Sequence, residues 1–274
     1  MGTLFLVATP IGNLEDISAR ALRILRQVRL IAAEDTRHTR QLLTHFDIHT
    51  PLTSYYEHNK LSKLDRILAA LAEADVALVS DAGTPAINDP GYELVRAALA
   101  AGHTVSPVPG PSAPIAALAA SGLPTDTFLY LGYLPRKSGE RREMLRSVEQ
   151  LPHTLICLET PHRLLEALDD LSSVLGERQM AVARELTKLH EEIFRGTISA
   201  ARAHFIVHEP RGEFTLVLDG RRTTDDGRWA EERLLAAIEE SRVEGKPAKE
   251  LAAELAKQSG WPRREIYDLV NQKR

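Results

Sequence analysis

Apolar residues fall in short blocks through the first two hundred positions, and the stretches between the blocks switch to a helical period. Residues 3–8 (TLFLVA), 29–33 (RLIAA), 75–80 (DVALVS) and 103–108 (HTVSPV) are compact, leucine-rich or β-branched, and bounded by turn residues, which predicts buried strands. Between them, residues 17–28 repeat apolar side chains at Ile17, Leu22, Leu25 and Val28. Residues 61–74 do so at Leu61, Leu64, Ile67, Leu68 and Leu71, one face of a helix. Strands separated by helices pair in parallel, because a parallel connection has to cross the sheet. Gly102 stands where a helix should stop before the next strand.

A second series begins after Gly122 and Pro124 and is punctuated by Pro135. Its strands are expected at 127–133, 153–159, 179–185 and 212–220, with helices near 138–150, 161–175 and 199–207. After Gly220 the chain turns polar, and its remaining apolar positions keep a helical period only. The pattern therefore predicts an N-terminal α/β domain over 1–120, a second α/β domain over 121–220, a linker at 221–228 and a small helical tail over 229–274. Pro247 and Pro262 are placed to open helices in the tail and Gly260 to close one. Two short helices about a glycine turn resemble a helix-turn-helix, a form shared by nucleic-acid binders and plain helical tails.

Composition narrows the class. A net charge of −4 argues against a surface coated in positive charge but leaves room for a local basic patch. Cys157 is the only cysteine, so no internal disulfide and no cysteine-held metal is expected, and no metal site is assigned. The sequence has no apolar run of membrane-spanning length and no basic-then-apolar start, so no membrane partner and a cytoplasmic location are expected.

Ligands of open α/β sheets bind beyond the carboxyl ends of the strands. Here the segments after four strands read TPIGNLEDIS, EDTRHTR, SDAGTPAINDPGYE and VPGPSAPIAA, rich in proline, glycine and small polar residues. Any one could be a plain turn; four on one sheet edge point to a site. No G-x-x-x-x-G-K-[ST] is present, nor a full G-x-G-x-x-G after the first strand. Pro10, Pro85, Pro109 and Pro111 fix φ and remove N–H donors, which makes stiff walls rather than an anion nest. Such walls suit a planar ring, sugar hydroxyls and a zwitterionic tail; S-adenosylmethionine has these parts and no phosphate.

Taken together, ATPIGNLEDIS, AAEDTRHT, SDAGTPAINDPG and PGPSA resemble the signature blocks of the tetrapyrrole-methylase superfamily. More narrowly they resemble its bacterial branch of small-subunit ribosomal RNA 2′-O-ribose methyltransferases, a likeness extended by GYLPRKSGERR, ETPHRLLEAL, ARELTK and RGEFTLVLDG. The resemblance implies two α/β domains of the tetrapyrrole-methylase type with S-adenosylmethionine in the interdomain cleft, and a homodimer. Its implied target is the ribose 2′-hydroxyl of a cytidine in the decoding centre of 16S rRNA, within the small ribosomal subunit. Carried over by position, Pro10, Ile11, Asp81, Ala82, Gly83 and Thr84 face the cofactor, Ser112 and Ala113 line its adenosine side, and Leu158 and Ala183 close over the adenine. Tetrapyrrole-modifying members commonly have a Gly-Asp-Pro turn where this chain has SDAGTP, which argues against a porphyrin-type substrate.

Methyl transfer to a ribose hydroxyl needs alignment and a nearby base. Glu34, Asp35 and His38 are the candidate bases, and Arg37 is a candidate phosphate holder; a charged network that stiffens the loop is the alternative. Arg136, Lys137, Arg141, Arg142 and Arg146 form a basic run, read either as an RNA-binding patch or as a solvated helix face. His162-Arg163, Arg184-Glu185 and Lys188 are either the opposite wall of the cleft or a salt-bridge network, and Tyr55 and Tyr56, beside His58, either stack on a base or pack. Two other functions fit parts of the chain. One is a DNA-binding regulator whose α/β part senses a small ligand; the other is a methyltransferase acting on a small tetrapyrrole-like ring.

Overall fold

Strands β1 (Thr3–Val7), β2 (Leu30–Ala33), β3 (Leu52–Ser54), β4 (Val76–Val79) and β5 (Thr104–Val108) form a parallel sheet in the order β3-β2-β4-β1-β5. These positions come from a computed structural model that describes residues 2–55, 60–220, 231–243, 247–259 and 261–272. Side chains alternate across the sheet as a period of two requires. Ile31, Ala33, Ala77 and Val79 join Ile24 and Leu25 of α1 (Ala19–Gln27) and Leu43 of α2 (Thr36–His45). Leu30, Ala32, Val76 and Leu78 join Ile67 and Leu71 of α3 (Lys60–Glu73) and Leu94 and Ala98 of α4 (Tyr92–Ala100). With helices on both faces, β2 and β4 are buried throughout, which explains their unbroken apolar runs. The sequence pattern did not reveal β3, whose Leu52-Thr53-Ser54 is too short to display a period.

The second sheet contains β6 (Phe128–Tyr133), β7 (Thr154–Glu159), β8 (Gln179–Arg184), β9 (Glu192–Thr197) and β10 (Phe214–Leu218) in the order β6-β7-β10-β8-β9. Only β6 and β7 pair in parallel; the other neighbours are antiparallel. Edge strand β9, EIFRGT, interleaves charge with small residues and carries no clean alternation, so it too was missed. The chain leaves β5 into α5 (Ala113–Ser121), whose Ala117 and Leu118 pack on Ile156, Ala181, Ala183 and Val217. That helix lies within the segment expected for the first domain, yet it sits in the core of the second. Three more helices, α6 (Ser138–Val148), α7 (Leu164–Leu175) and α8 (Ile198–Val207), pack in a row. Phe205 of α8 meets Phe214 of β10 edge to face at 5.5 Å.

The tail forms a separate unit of three helices, α9 (Glu231–Val243), α10 (Ala248–Ser259) and α11 (Arg263–Gln272). Leu234, Ile238, Leu251, Leu255, Ile266 and Val270 make its core. The expected linker at 221–228 and Gly260 lie outside the described residues. Among the described residues no helix is long and apolar enough to cross a membrane.

One polar contact is buried between α6 and α7. The Arg141 guanidinium, 1% exposed, meets the Asp170 carboxylate, 3% exposed, at 2.6 Å, and Arg142 Nε donates to the same carboxylate at 2.5 Å. Burial pushes the Asp170 carboxyl up, but hydrogen bonds from Arg142, Ser138 and Arg141 outweigh it and hold the group below its ordinary value. Asp170→Ala strands a buried cation and is expected to cost about 3–5 kcal/mol in urea unfolding. The pair Arg141→Met with Asp170→Leu should recover most of that loss. An alanine variant as stable as the parent would show that the pair contributes nothing.

Candidate active site

The loops after β1, β2, β4 and β5 are tied to one another rather than hanging free. Thr9 and Gly83 exchange backbone hydrogen bonds of 2.9 and 3.0 Å, and Thr9 Oγ1 donates to the Ser80 carbonyl at 3.2 Å. Asp35 N donates to Asp81 Oδ1 at 3.0 Å, Asp81 N to Glu34 Oε2 at 3.4 Å, and Thr84 Oγ1 to the Pro111 carbonyl at 3.3 Å. Gly83 has φ +78°, which lets the chain fold back at the bridge. Ala86 and Asn88 also sit in the left-handed region, at φ 68° and 62°, a strain found where a loop is shaped for a site.

Two glycines bring the sheets together. A side chain at Gly12 would meet Thr187 Oγ1 at 2.8 Å and the Leu186 carbonyl oxygen at 2.9 Å, so the β1 loop lies directly on the segment after β8. A side chain at Gly132 of β6 would collide with Asn88 of the β4 loop. Between these contacts is a cavity of about 240 Å³. Ile11, Asp81, Ala82, Gly83 and Thr84 line it from one side, Ser112 and Ala113 from the start of α5, and Leu158 and Ala183 from the second sheet. The structure thus gathers every residue expected at the cofactor except Pro10, which lines an adjoining cavity of about 660 Å³. Ile11, Asp81, Ala82 and Glu213 line both, so the two spaces meet there.

Several lining residues escaped the sequence pattern. Tyr130 and Tyr133 both line the smaller cavity although strict alternation would put them on opposite faces. A register shift between Tyr130 and Gly132 accounts for this, and it leaves no signal in the sequence beyond the glycine. Glu213, at the entry to β10, and Asp89, in the β4 loop, were likewise missed.

The electrostatics of the two cavities differ. Glu34, Asp81, Asp89 and Glu213 line the smaller one, and among its described lining residues none is Lys, Arg or His. Glu213 shares its charge with Lys188 at 2.9 Å. Burial raises the Glu34 carboxyl above its ordinary range, reinforced by the charges of Asp89 and Asp81. Burial also raises Asp89, against a hydrogen bond from Ser80, with the charge of Asp81 adding to the rise. The Tyr130 phenol is pushed up to about 12 by burial, then by Tyr133 and Asp89. The larger cavity mixes signs: His38, Gln41 and His45 of α2 and Lys188 face it together with Asp81 and Glu213, and Arg37 and Arg40 line a shallow depression farther along α2.

The acidic loop after β2 divides its labour. Asp35 is the N-cap of α2: its Oδ1 accepts from Arg37 N at 2.8 Å and Arg37 Nε at 3.2 Å, and its Oδ2 accepts from Arg37 Nη2 at 2.8 Å. Those bonds hold its carboxyl at about 2, too weak a base to draw a hydroxyl proton, and they turn Arg37 back onto its own loop. Asp35 thus caps α2, and its bonds to Arg37 make it a weaker base than Glu34. His38 Nδ1 lies 3.9 Å from Asp81 Oδ1 and faces the larger cavity. Of the four residues in that cluster, only Glu34 lines the smaller one.

Arg136, Lys137 and Arg146 are exposed as the basic run requires, and Arg142 is half exposed, but Arg141 is not. Its buried pairing with Asp170 removes it from the surface, which corrects its place in an RNA patch. Tyr55 is fully buried and packs, while Tyr56 and His58 lie outside the described residues. Arg163 pairs with Glu159 at 3.0 Å, Arg184 with Glu192 at 3.2 Å and Lys188 with Glu185 at 2.9 Å, the salt-bridge alternative. Lys188 still faces the larger cavity.

Residues 3–202 match the family described as Tetrapyrrole (Corrin/Porphyrin) Methylases. The chain is 48% identical over 271 residues to ribosomal RNA small subunit methyltransferase I of Synechocystis sp., covering 98% of this chain and 97% of the relative. It is 46% identical over 275 residues to the protein of the same name from Halalkalibacterium halodurans, covering 99% and 95%. This chain belongs to the ribosomal RNA small subunit methyltransferase I family of tetrapyrrole methylases. The fold of the tetrapyrrole methylases is also seen in a uroporphyrin-III C-methyl transferase from Thermus thermophilus, solved in complex with S-adenyl homocysteine. That structure has a TM-score of 0.54 and 20% identity, covering 80% of this chain and 97% of its own.

The raised carboxyls have a consequence for stability. The folded protein holds the Glu34 and Asp89 protons more tightly than the unfolded chain does. That contribution is full below the ordinary carboxylate pKa and is lost as pH rises through the raised values. Asp89→Asn is therefore expected to raise Tm by a few degrees at pH 7, to leave it nearly unchanged at pH 4, and to lower the Glu34 midpoint followed by NMR. A Tm gain equal at both pH values would contradict this.

Proposed function

We propose that this chain transfers the methyl group of S-adenosylmethionine to the ribose 2′-hydroxyl of a cytidine in the decoding centre of 16S rRNA, working as a cytoplasmic homodimer. The observation that carries the reading is the pairing of a cavity lined by Glu34, Asp81, Asp89 and Glu213 with an adjoining larger cavity bordered by His38, His45 and Lys188. Three further carboxylates beside the Glu213–Lys188 pair, with no Lys, Arg or His among the described lining residues, repel a polyphosphate and favour a sulfonium or ammonium. The lining residues therefore fit a nucleoside that carries positive charge and no phosphate. The relatives' name supplies the ribosomal RNA, and the loop resemblance supplies the 2′-hydroxyl and the cytidine.

When bound, S-adenosylmethionine supplies an electrophilic methyl group on a sulfonium. Ile11, Asp81, Ala82, Gly83 and Thr84 would hold it from the parallel sheet, with Ser112 and Ala113 along the adenosine and Leu158 and Ala183 over the adenine. Pro10 stiffens the corner beside them. The cross-linked loops hold these groups in place, so little ordering remains at the moment of reaction. Glu34 would take the proton of the ribose hydroxyl, leaving its oxygen free to accept the methyl group that the bound donor would supply. A carboxyl raised toward the working pH is the better proton acceptor of the cluster. Arg136, Lys137, Arg142 and Arg146, together with Arg40 and His45 of α2, hold RNA phosphates outside the cleft.

Incubation of the protein with labelled methyl donor and unmodified small subunits, followed by nuclease digestion and mass spectrometry, tests the reading. One 2′-O-methylcytidine is expected; label on a base, or none, would overturn it. Glu34→Gln is expected to lower kcat by about a hundredfold or more with donor affinity largely retained. Its pH profile should lose the acidic limb, and full turnover in that variant would remove Glu34 from the chemistry.

A further inference from the structure

Beyond β6 the chain runs through Leu134, Pro135, Arg136 and Lys137, and its carbonyls have no strand partner there. Two guanidiniums take them instead. Arg163 Nη2 donates to the carbonyls of Leu134 and Pro135, the latter at 3.2 Å. Arg141 Nη1 donates to the carbonyls of Pro135 and Arg136 at 3.2 and 3.3 Å. Each guanidinium is anchored by a buried carboxylate, Arg163 by Glu159 at 3.0 Å and Arg141 by Asp170 at 2.6 Å. The Glu159 side chain is fully buried and also accepts from Thr160 N at 2.7 Å. Three successive carbonyls are therefore held from beneath by charge, although the segment borders Tyr133, half exposed in the wall of the smaller cavity.

A surface turn does not need one buried and one largely buried arginine to hold it. Burying a guanidinium and its carboxylate costs desolvation energy, and such pairs are weak sources of net stability. What this arrangement does secure is direction. The carbonyls are held in place, and Arg136 and Lys137, the latter paired with Glu140 at 3.0 Å, remain exposed three and four residues along the chain from the tyrosine at the cleft.

We propose that Arg163, locked by Glu159, is a positioning residue for RNA: it fixes the Leu134–Arg136 carbonyls so that Arg136 and Lys137 grip the phosphates flanking a nucleotide placed against Tyr133. The inference rests on the methyl-transfer reading and deepens it by naming what sets the approach of the RNA chain. Arg163 itself touches neither ligand. Nη2 alone makes all three contacts, and lysine, whose side chain ends one bond nearer the backbone, does not bring its nitrogen to Glu159 and both carbonyls together.

The test compares Arg163→Lys, Glu159→Gln, the surface double variant Arg136→Ala/Lys137→Ala, and the combination of Arg163→Lys with that double variant. Binding to unmodified small subunits is measured over a range of salt, and S-adenosylmethionine binding is measured separately by calorimetry. Arg163→Lys is expected to weaken subunit binding roughly tenfold and to flatten the log–log salt slope by about 1.4, the amount for two phosphate contacts to single-stranded RNA. Glu159→Gln should move in the same direction, donor affinity should stay, and the combined variant should bind no worse than the double variant alone. Additive losses in the combination, an unchanged salt slope, or a parallel loss of donor affinity would overturn the proposal. Loss of donor binding by the parent protein would instead strike the methyl-transfer reading.

Discussion

The spacing between the two sheets is fixed where two glycines let the chain lie directly on a neighbouring loop, and the cleft exists because of it. At Gly12 the β1 loop rests on Leu186 and Thr187, and at Gly132 the β6 strand rests on Asn88. Neither contact leaves room for a Cβ. The helix between the sheets adds to this, since α5 starts at the cleft with Ser112 and Ala113 and buries Ala117 and Leu118 in the second sheet's core. Ligand-facing loops of the first sheet are thereby attached to the body of the second, and the cavity between them has walls of fixed separation.

Within those walls the charge pattern decides what can enter. Pro10 lines the adjoining space, whereas Pro85, Pro109 and Pro111 stiffen the loops without lining either cavity, and the lining side chains of the smaller one supply carboxylates instead of cations. Both features work against phosphate and for a cationic nucleoside. Close by along the backbone, α2 and the segment after β6 present arginine, lysine and histidine to the outside. One loop, Glu34–His38, stands at the change of sign, and its members take different tasks because their surroundings differ. Asp35 caps a helix and is held strongly acidic, while Glu34, partly buried and beside Asp89 and Asp81, is made more basic.

Much of this was legible in the sequence because loops after parallel strands share one edge by topology. That rule, with the family resemblance, brought Ile11, Asp81, Gly83, Ser112, Leu158 and Ala183 to one cavity before any coordinates. The failures have separate physical causes. Tyr130 and Tyr133 reach the same face only through a bulge. Asp35 precedes the first turn of a helix, where a carboxylate caps before it catalyses. The charge of Arg141 points to the surface, although Arg141, Leu145 and Val148 keep the spacing of one buried helix face. That period is the signal that places it inside.

The central claim is that the cleft selects a cationic nucleoside and rejects phosphate. Calorimetric titration of the protein near pH 6 with S-adenosylmethionine and, separately, with a nucleoside triphosphate, in buffers of different ionisation enthalpy, tests it most directly. Saturable heat with S-adenosylmethionine is expected, any proton exchanged being released because a cation beside Glu34 and Asp89 favours their ionised forms, and no saturable heat with the triphosphate. Tight binding of the triphosphate in the same cleft, with no heat from S-adenosylmethionine, would contradict it.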